Sequence, residues 1–168
     1  HEDRPPEFAH APAEALPVIE DGGARVRLIL GTGWGAAAPV RAASEMVYAD
    51  AVLAPGAALP LPDDHEDRGL YIVEGSVEIA GDSFGAGRMM VIRPGDRLSL
   101  RAGAQGARAM VLGGATLEGP RYIWWNFVAS SKERIAAAKE AWAAGDRANG
   151  RFQLPPGDDR EFIPLPSR

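Results

Sequence analysis

From Arg25 to Leu112 the chain never runs far before a glycine or proline interrupts it. Arg25-Val26-Arg27-Leu28-Ile29-Leu30 alternates in polarity and stops at Gly31-Thr32-Gly33-Trp34-Gly35. Met46 to Leu53 ends at Pro55-Gly56, and Gly69-Leu70-Tyr71-Ile72-Val73-Glu74 ends at Gly75. Ser76-Val77-Glu78-Ile79 reads as the hairpin partner of that last segment, with turns at Gly81-Asp82 and Gly85-Ala86-Gly87. Met89 to Ile92 and Leu98-Ser99-Leu100 flank Pro94-Gly95-Asp96, and Ala107 to Leu112 closes the series. Segments this short, alternating as at Arg25–Leu30 or simply apolar, and bounded by turn residues, are strands. Many of them at regular spacing predict a sandwich or closed barrel. Gly (20) and Pro (14) are about a fifth of the 168 residues, enough for dense turns and short of low complexity.

The pattern changes near residue 129. Ser130 followed by Glu133 has capping-box spacing, with the hydroxyl and the carboxylate each bonding the other residue's amide. Ile135, Ala138 and Trp142 share one helical face, Arg134 and Glu140 are left to solvent, and Gly145 suits the stop. The tail carries large apolar anchors, among them Phe152 and Phe162, expected to dock on the barrel or on a neighbouring domain. The predicted organisation is an extended arm over residues 1–17, a β-barrel over 18–128, and a helix with a docking tail over 129–168. The opening His1-Glu2-Asp3-Arg4-Pro5-Pro6 reads like a linker, so a fragment of a longer polypeptide is expected.

Composition excludes several classes of function. A net charge of −5, without a Lys/Arg cluster, argues against direct nucleic-acid binding. With no cysteine, disulfides, thiolate catalysis and zinc–thiolate sites are impossible, and a reducing, cytoplasmic setting is expected. No apolar stretch approaches a membrane span, and no signal peptide is visible.

Gly31-x-Gly33-x-x-Ala36 follows a strand, as a dinucleotide fingerprint does, but Pro39 comes soon after and no helical period begins. A Gly-rich loop between strands is the better reading. Asp158, Asp159 and Glu161 lie in the tail with nothing to tune them, so solvation is their default. Tyr122, Trp124 and Trp125 fit a pocket or, more often, core and interface packing.

The stretch from Pro55-Gly56 to Glu74-Gly75 resembles the first cupin motif, and Arg88 to Asp96 the second. That family places two histidines and a glutamate in the first motif and another histidine after the second turn. Counting back from Gly75, the glutamate position is Arg68, and the histidine positions fall within Leu61 to Asp64. No histidine lies near Leu98. The three histidines are His1 and His10 in the arm, and His65. His65 is out of register: on a strand it would face the opposite side, and otherwise it lies in the acidic loop Asp63-Asp64-His65-Glu66-Asp67. That loop is read as solvated rather than as a weak oxygen-ligand cation site. Arg68 would repel a metal, so no metal-ligating residue is assigned.

Gly119-Pro120-Arg121-Tyr122-Ile123-Trp124-Trp125-Asn126-Phe127-Val128-Ala129-Ser130-Ser131-Lys132-Glu133-Arg134-Ile135 closely resembles the end of bacterial pirins, as does the run from Pro156 to Pro166. The resemblance covers the chain from about Phe8 onward, as a C-terminal domain only. It implies an all-β fold, a cupin-type barrel (double-stranded β-helix, or jelly roll) with one C-terminal α-helix and extended tails. It also implies a two-domain parent whose N-terminal cupin holds iron by three His and one Glu, some members having been assigned quercetin dioxygenase activity. No catalytic or cofactor-binding residue carries over to this chain, and no cofactor is expected in it. The leading expectation is therefore a metal-free structural and interaction domain. Its partner would be the N-terminal cupin of the same polypeptide or another copy, and the candidate interface residues are Tyr122, Trp124, Trp125, Phe127, Phe152 and Phe162. The rivals are a share in an iron-dependent quercetin 2,3-dioxygenase and a metal-independent binder using its own cavity.

Overall fold

The computed structural model describes residues 2–4, 7–145, 150–154, 157–158 and 161–166. His1, Pro156, Asp159 and Arg160, which figured in the sequence reading, lie outside the described residues. By its internal contacts the chain divides into two compact units, one running from Asp3 to Thr116 and one from Leu117 onward that also takes in Glu2.

The first unit is a nine-stranded antiparallel sheet. Its strands are β1 (Val18–Asp21), β2 (Ala24–Gly33), β3 (Ala36–Ala37), β4 (Met46–Leu53), β5 (Ala58–Pro60), β6 (Asp67–Ile79), β7 (Asp82–Gly85), β8 (Met89–Ile92) and β9 (Ser99–Gly114). The main order is β1-β2-β4-β9-β6-β7, with β3 beside β2, β5 beside β9 and β8 beside β6. This is the expected mostly-β, cupin-like architecture, with one difference. Among the described residues the hydrogen-bonded path runs from β1 to β7 without closing into a ring, so the unit wraps a core but keeps edges.

Two boundaries differ from the sequence reading. Ser76 to Ile79 is not a hairpin partner but the continuation of β6, and β7 takes the partner's place across Ala80-Gly81. Ser99–Leu100 and Ala107–Leu112 belong to a single 16-residue strand, β9, which leaves out Leu98. Both errors have one cause. Gly75 (φ +72°) and Gly106 (φ +77°) bend strands instead of ending them. A Cβ on Gly75 would stand 2.1 Å from the Gly106 carbonyl oxygen, so these glycines let β6 and β9 pass at close range where the register shifts.

The core follows from the pleat. Alternate residues of β4 are buried, and Leu28, Ala49, Val111 and Leu70 form one row across four strands. Val26, Ala51, Ala109 and Ile72 form the next. The second row has alanine on both central strands and the first has Ala49 beside Val111, with larger aliphatics on the outer strands of each, so the inner faces interdigitate. Leu28, Leu70, Ile72 and Leu100 are fully buried, and the centre of the sheet is aliphatic.

The second unit holds a hairpin, β10 (Tyr122–Trp124) and β11 (Phe127–Ala129), and the helix α1 (Lys132–Ala144). Ile135 and Ala138 are buried, and Gly145 ends the helix in the left-handed region (φ +70°) as the sequence predicts. The cap is one residue later than predicted. Ser131, not Ser130, accepts from the Arg134 amide at 3.2 Å. The Ser130 amide and hydroxyl instead donate to the Glu2 carboxylate, at 2.9 and 2.6 Å. Arg134, expected in solvent, is half-buried and pairs with Glu2 at 3.1 Å. No described helix is long and apolar enough to cross a membrane.

Candidate functional site

The residues that would form a cupin metal centre lie at one end of the sheet in the first unit. Arg68 is the second residue of β6 and has the same parity as Leu70 and Ile72, so the pleat turns it inward. It is only 5% exposed. Nη1 donates to the Pro62 carbonyl at 3.0 Å, while Nη2 donates to those of Arg93 (3.1 Å) and Asp96 (2.7 Å). The planar fork thus ties the segment before β6 to the turn after β8. Nε is buried and has no partner among the described residues.

His65 is not the residue of a solvated loop. It is 2% exposed, held between β2 and the lead into β4. Nε2 faces the Thr32 carbonyl at 3.0 Å, which only accepts, so this nitrogen carries a proton and donates it. Nδ1 faces the Glu45 carboxylate at 3.1 Å, where a hydrogen bond requires a proton between the two. The Asp64 carboxylate stands 3.7 Å from Nε2.

Two of the neighbouring acidic residues have partners of their own. Asp63 pairs with Arg97 at 2.8 Å, and Glu66 accepts from the Thr116 amide at 3.3 Å. Among the described residues no three His, Asp or Glu side chains converge as a metal site would require. The donor set that iron needs in a cupin does not fit here: a fixed cation stands at the carboxylate's position, and both nitrogens of the one nearby imidazole already face protein oxygens. His10, Asp158 and Glu161 are exposed.

The Gly31-Gly33 motif forms the β2–β3 hairpin, turning through Trp34 (φ +49°) and Gly35 (φ +76°), with no helix behind it. The Trp34 indole donates to the Pro60 carbonyl at 2.8 Å. Beside it lies a hollow of about 280 Å³ lined by Ile19, Val26, Trp34 and Leu59.

In the second unit the sequence-selected aromatics meet one another. Phe127 stacks on Phe152 (centroids 5.3 Å) and on Trp124 (6.1 Å). Trp125 meets Phe127 and Trp142 edge-on, both at 5.5 Å. Trp142 also reaches Phe152 (5.3 Å) and Phe162 (6.5 Å). Lys139 lies over Trp124 at 4.1 Å and Lys132 over Tyr122 at 5.6 Å. The structure therefore places five of the six candidate interface residues in one cluster with Trp142. Tyr122 sits beside it under Lys132.

Glu2 is held below the ordinary carboxylate range chiefly by the hydrogen bonds from the Ser130 hydroxyl and amide, with Arg134 and Arg121 adding to the effect. Glu133 is lowered by its own amide and by the Ser131 hydroxyl. On the sheet, Arg108 is raised by its two-pronged bond to Asp50, at 2.9 and 3.1 Å.

Residues 48–149 match the family model of the pirin C-terminal cupin domain. The chain belongs to the pirin family. A pirin-like protein from Caulobacter vibrioides is 42% identical over 163 residues, which cover 96% of this chain and 54% of that protein. A protein from Pseudomonas aeruginosa named a "putative quercetin 2,3-dioxygenase" is 35% identical, covering 96% and 51%. Among solved structures, a quercetin 2,3-dioxygenase from Acinetobacter baumannii superposes with a TM-score of 0.76 at 26% identity, over 90% of this chain and 50% of that one. The chain thus spans about half the length of the pirin relatives it matches.

Proposed function

We propose that this C-terminal pirin cupin binds no metal itself and serves as the structural partner of an iron-bearing N-terminal cupin. One observation supports this above the others: at the position of the ligand glutamate stands a buried Arg68 that fastens three backbone carbonyls. A cation there is part of the frame, and removing it to admit iron would leave those carbonyls unpaired. The aliphatic interior points the same way, since among the described residues His65 and Arg68 are the buried polar or charged ones. The parent activity, by likeness to the relatives named for it, is oxidation of a flavonol in the cytoplasm, with this half shaping the protein that carries it out.

The test is metal content. The purified chain, incubated anaerobically with ferrous iron and desalted, is expected to retain far less than one equivalent by elemental analysis. It is also expected not to consume quercetin. Stoichiometric iron on this chain alone would overturn the proposal.

A further inference from the structure

The nine-stranded sheet leaves a gap beside two strands that pair on one side only. Among the described residues β1 bonds only to β2, and β5 only to β9. The hollow beside Trp34 is lined from both strands. Its apolar wall is the buried Val26 and Leu59, with Ile19 and Trp34 packed against the core. Its rim is a carboxylate. Asp21 shares the parity of Ile19 on β1, so the pleat turns both toward the hollow. The cross-strand partner of Asp21 is Ala24, too small to cover it. The neighbouring Glu20 pairs with Arg25 at 3.0 Å, whereas the Asp21 side chain makes no hydrogen bond or ion pair among the described residues. The turn beyond it is bare: a Cβ on Gly22 would meet nothing within 4 Å, which leaves that end uncovered.

Trp34 is a second, independent sign of a site. Its φ of +49° is a conformation that a bulky residue rarely holds and that glycine takes without strain. The ring is set in place by the bond from its indole nitrogen to the Pro60 carbonyl at 2.8 Å, which ties it to β5. Backbone strain kept for the sake of a side chain's position is a mark of ligand sites.

We infer that this hollow binds a small aromatic amine: one ring on a short chain, its face against Trp34 and its ammonium at Asp21. Size sets the ring count. About 280 Å³ lies just below the usual range for ligand pockets, roughly 300–1,000 Å³, and suits one ring rather than the several of a flavonol. Charge sets the head group. A carboxylate without a partner at the rim of an apolar wall attracts a cation and repels an anion, and the indole face adds to the attraction. Arg68 takes no part in this site, so the metal content of the chain does not bear on it.

The experiment titrates the intact, amide-labelled 168-residue chain with four probes. They are phenethylamine, 3-phenylpropionate (a similar reach with the opposite charge), butylamine (the head without the ring) and quercetin. Phenethylamine is expected to saturate with a dissociation constant of about 0.1–1 mM, shifting Ile19, Asp21, Ala24, Leu59 and the Trp34 indole. The other three should bind at least about tenfold more weakly. Asp21→Asn should weaken phenethylamine about threefold, as an exposed charge pair allows, and narrow the gap to 3-phenylpropionate. Trp34→Gly suits the positive φ, so it should keep the parent's dispersed spectrum while weakening phenethylamine at least about tenfold. Shifts that are absent at about 10 mM phenethylamine, or scattered away from these residues, would overturn the site. Binding of 3-phenylpropionate or quercetin at these residues as tight as that of phenethylamine would overturn the ligand class, as would unchanged affinity in Asp21→Asn.

Discussion

Arg68→Met keeps an aliphatic stem of similar reach and removes the fork. Each hydrogen bond from a charged donor to a carbonyl is worth about 1.5–3 kcal/mol, and carbonyls left buried without a donor cost about 1–3 each. Against that stand the expense of holding a guanidinium out of water and the unpartnered Nε, both relieved by the change. The Pro62, Arg93 and Asp96 carbonyls lie at the edge of the core, where water can replace part of what is lost. The balance is an expected loss of about 2–5 kcal/mol, a fall in urea midpoint of roughly 1–2 M. Because the chain has two units, the assay must report on the first one. Methyl resonances of Leu28, Leu70 and Val111 followed through a urea titration do so. Arg68→Lys should behave almost as badly, since one ammonium cannot replace two nitrogens donating to carbonyls from separate segments. The reasoning is refuted if Arg68→Met lies within about 0.5 kcal/mol of the parent, or if lysine restores full stability.

Gly75→Ala should destabilise the first unit by more than about 2 kcal/mol in the same titration, because both the positive φ and the Gly106 carbonyl oppose a side chain. Ser131→Ala should cost the second unit about 1 kcal/mol of cap stability, read by thermal melting at 222 nm. Ser130→Ala should leave that cap in place and act only through Glu2. Acid should loosen the second unit. The folded pKa values of Glu2 and Glu133 are lowered, so their contribution is full above the ordinary glutamate value of 4.5 and disappears as pH falls through the lowered one. Tryptophan fluorescence from pH 7 to 3 should show this, and Glu2→Gln combined with Glu133→Gln should flatten the response.

The sequence was most legible where local pattern and tertiary role agree. The bounds of β4 and β8 coincide with the short runs Met46–Leu53 and Met89–Ile92 that turn residues set off. Gly145 ends α1 for the reason its conformation suggests. It was least legible where glycine has two uses. Gly75 reads as a stop because a bend that lets two strands cross closely leaves the same local trace as a turn. Motif spacing locates Arg68 at the carboxylate's position and identifies it only as a charge hostile to metal. Its parity with Leu70 and Ile72 already turned it inward, whereas its three carbonyl partners are far apart in sequence and left no signal. His65 was hidden more deeply, since an acidic run masks a buried imidazole whose partners, Thr32 and Glu45, arrive through the fold. The aromatics were found by type, but composition cannot tell rings that face a partner from rings that face each other.

The two long bent strands have a mechanical consequence. β6 bonds to β7, β8 and β9, while β9 bonds to β4, β5 and β6. Each passes from one set of neighbours to another at its glycine bend. A sheet stitched in this way has no seam between its halves, so peeling either end pulls on strands that also hold the opposite end. Its central amides should exchange with solvent as one cooperative block, leaving fraying to β1 and β3.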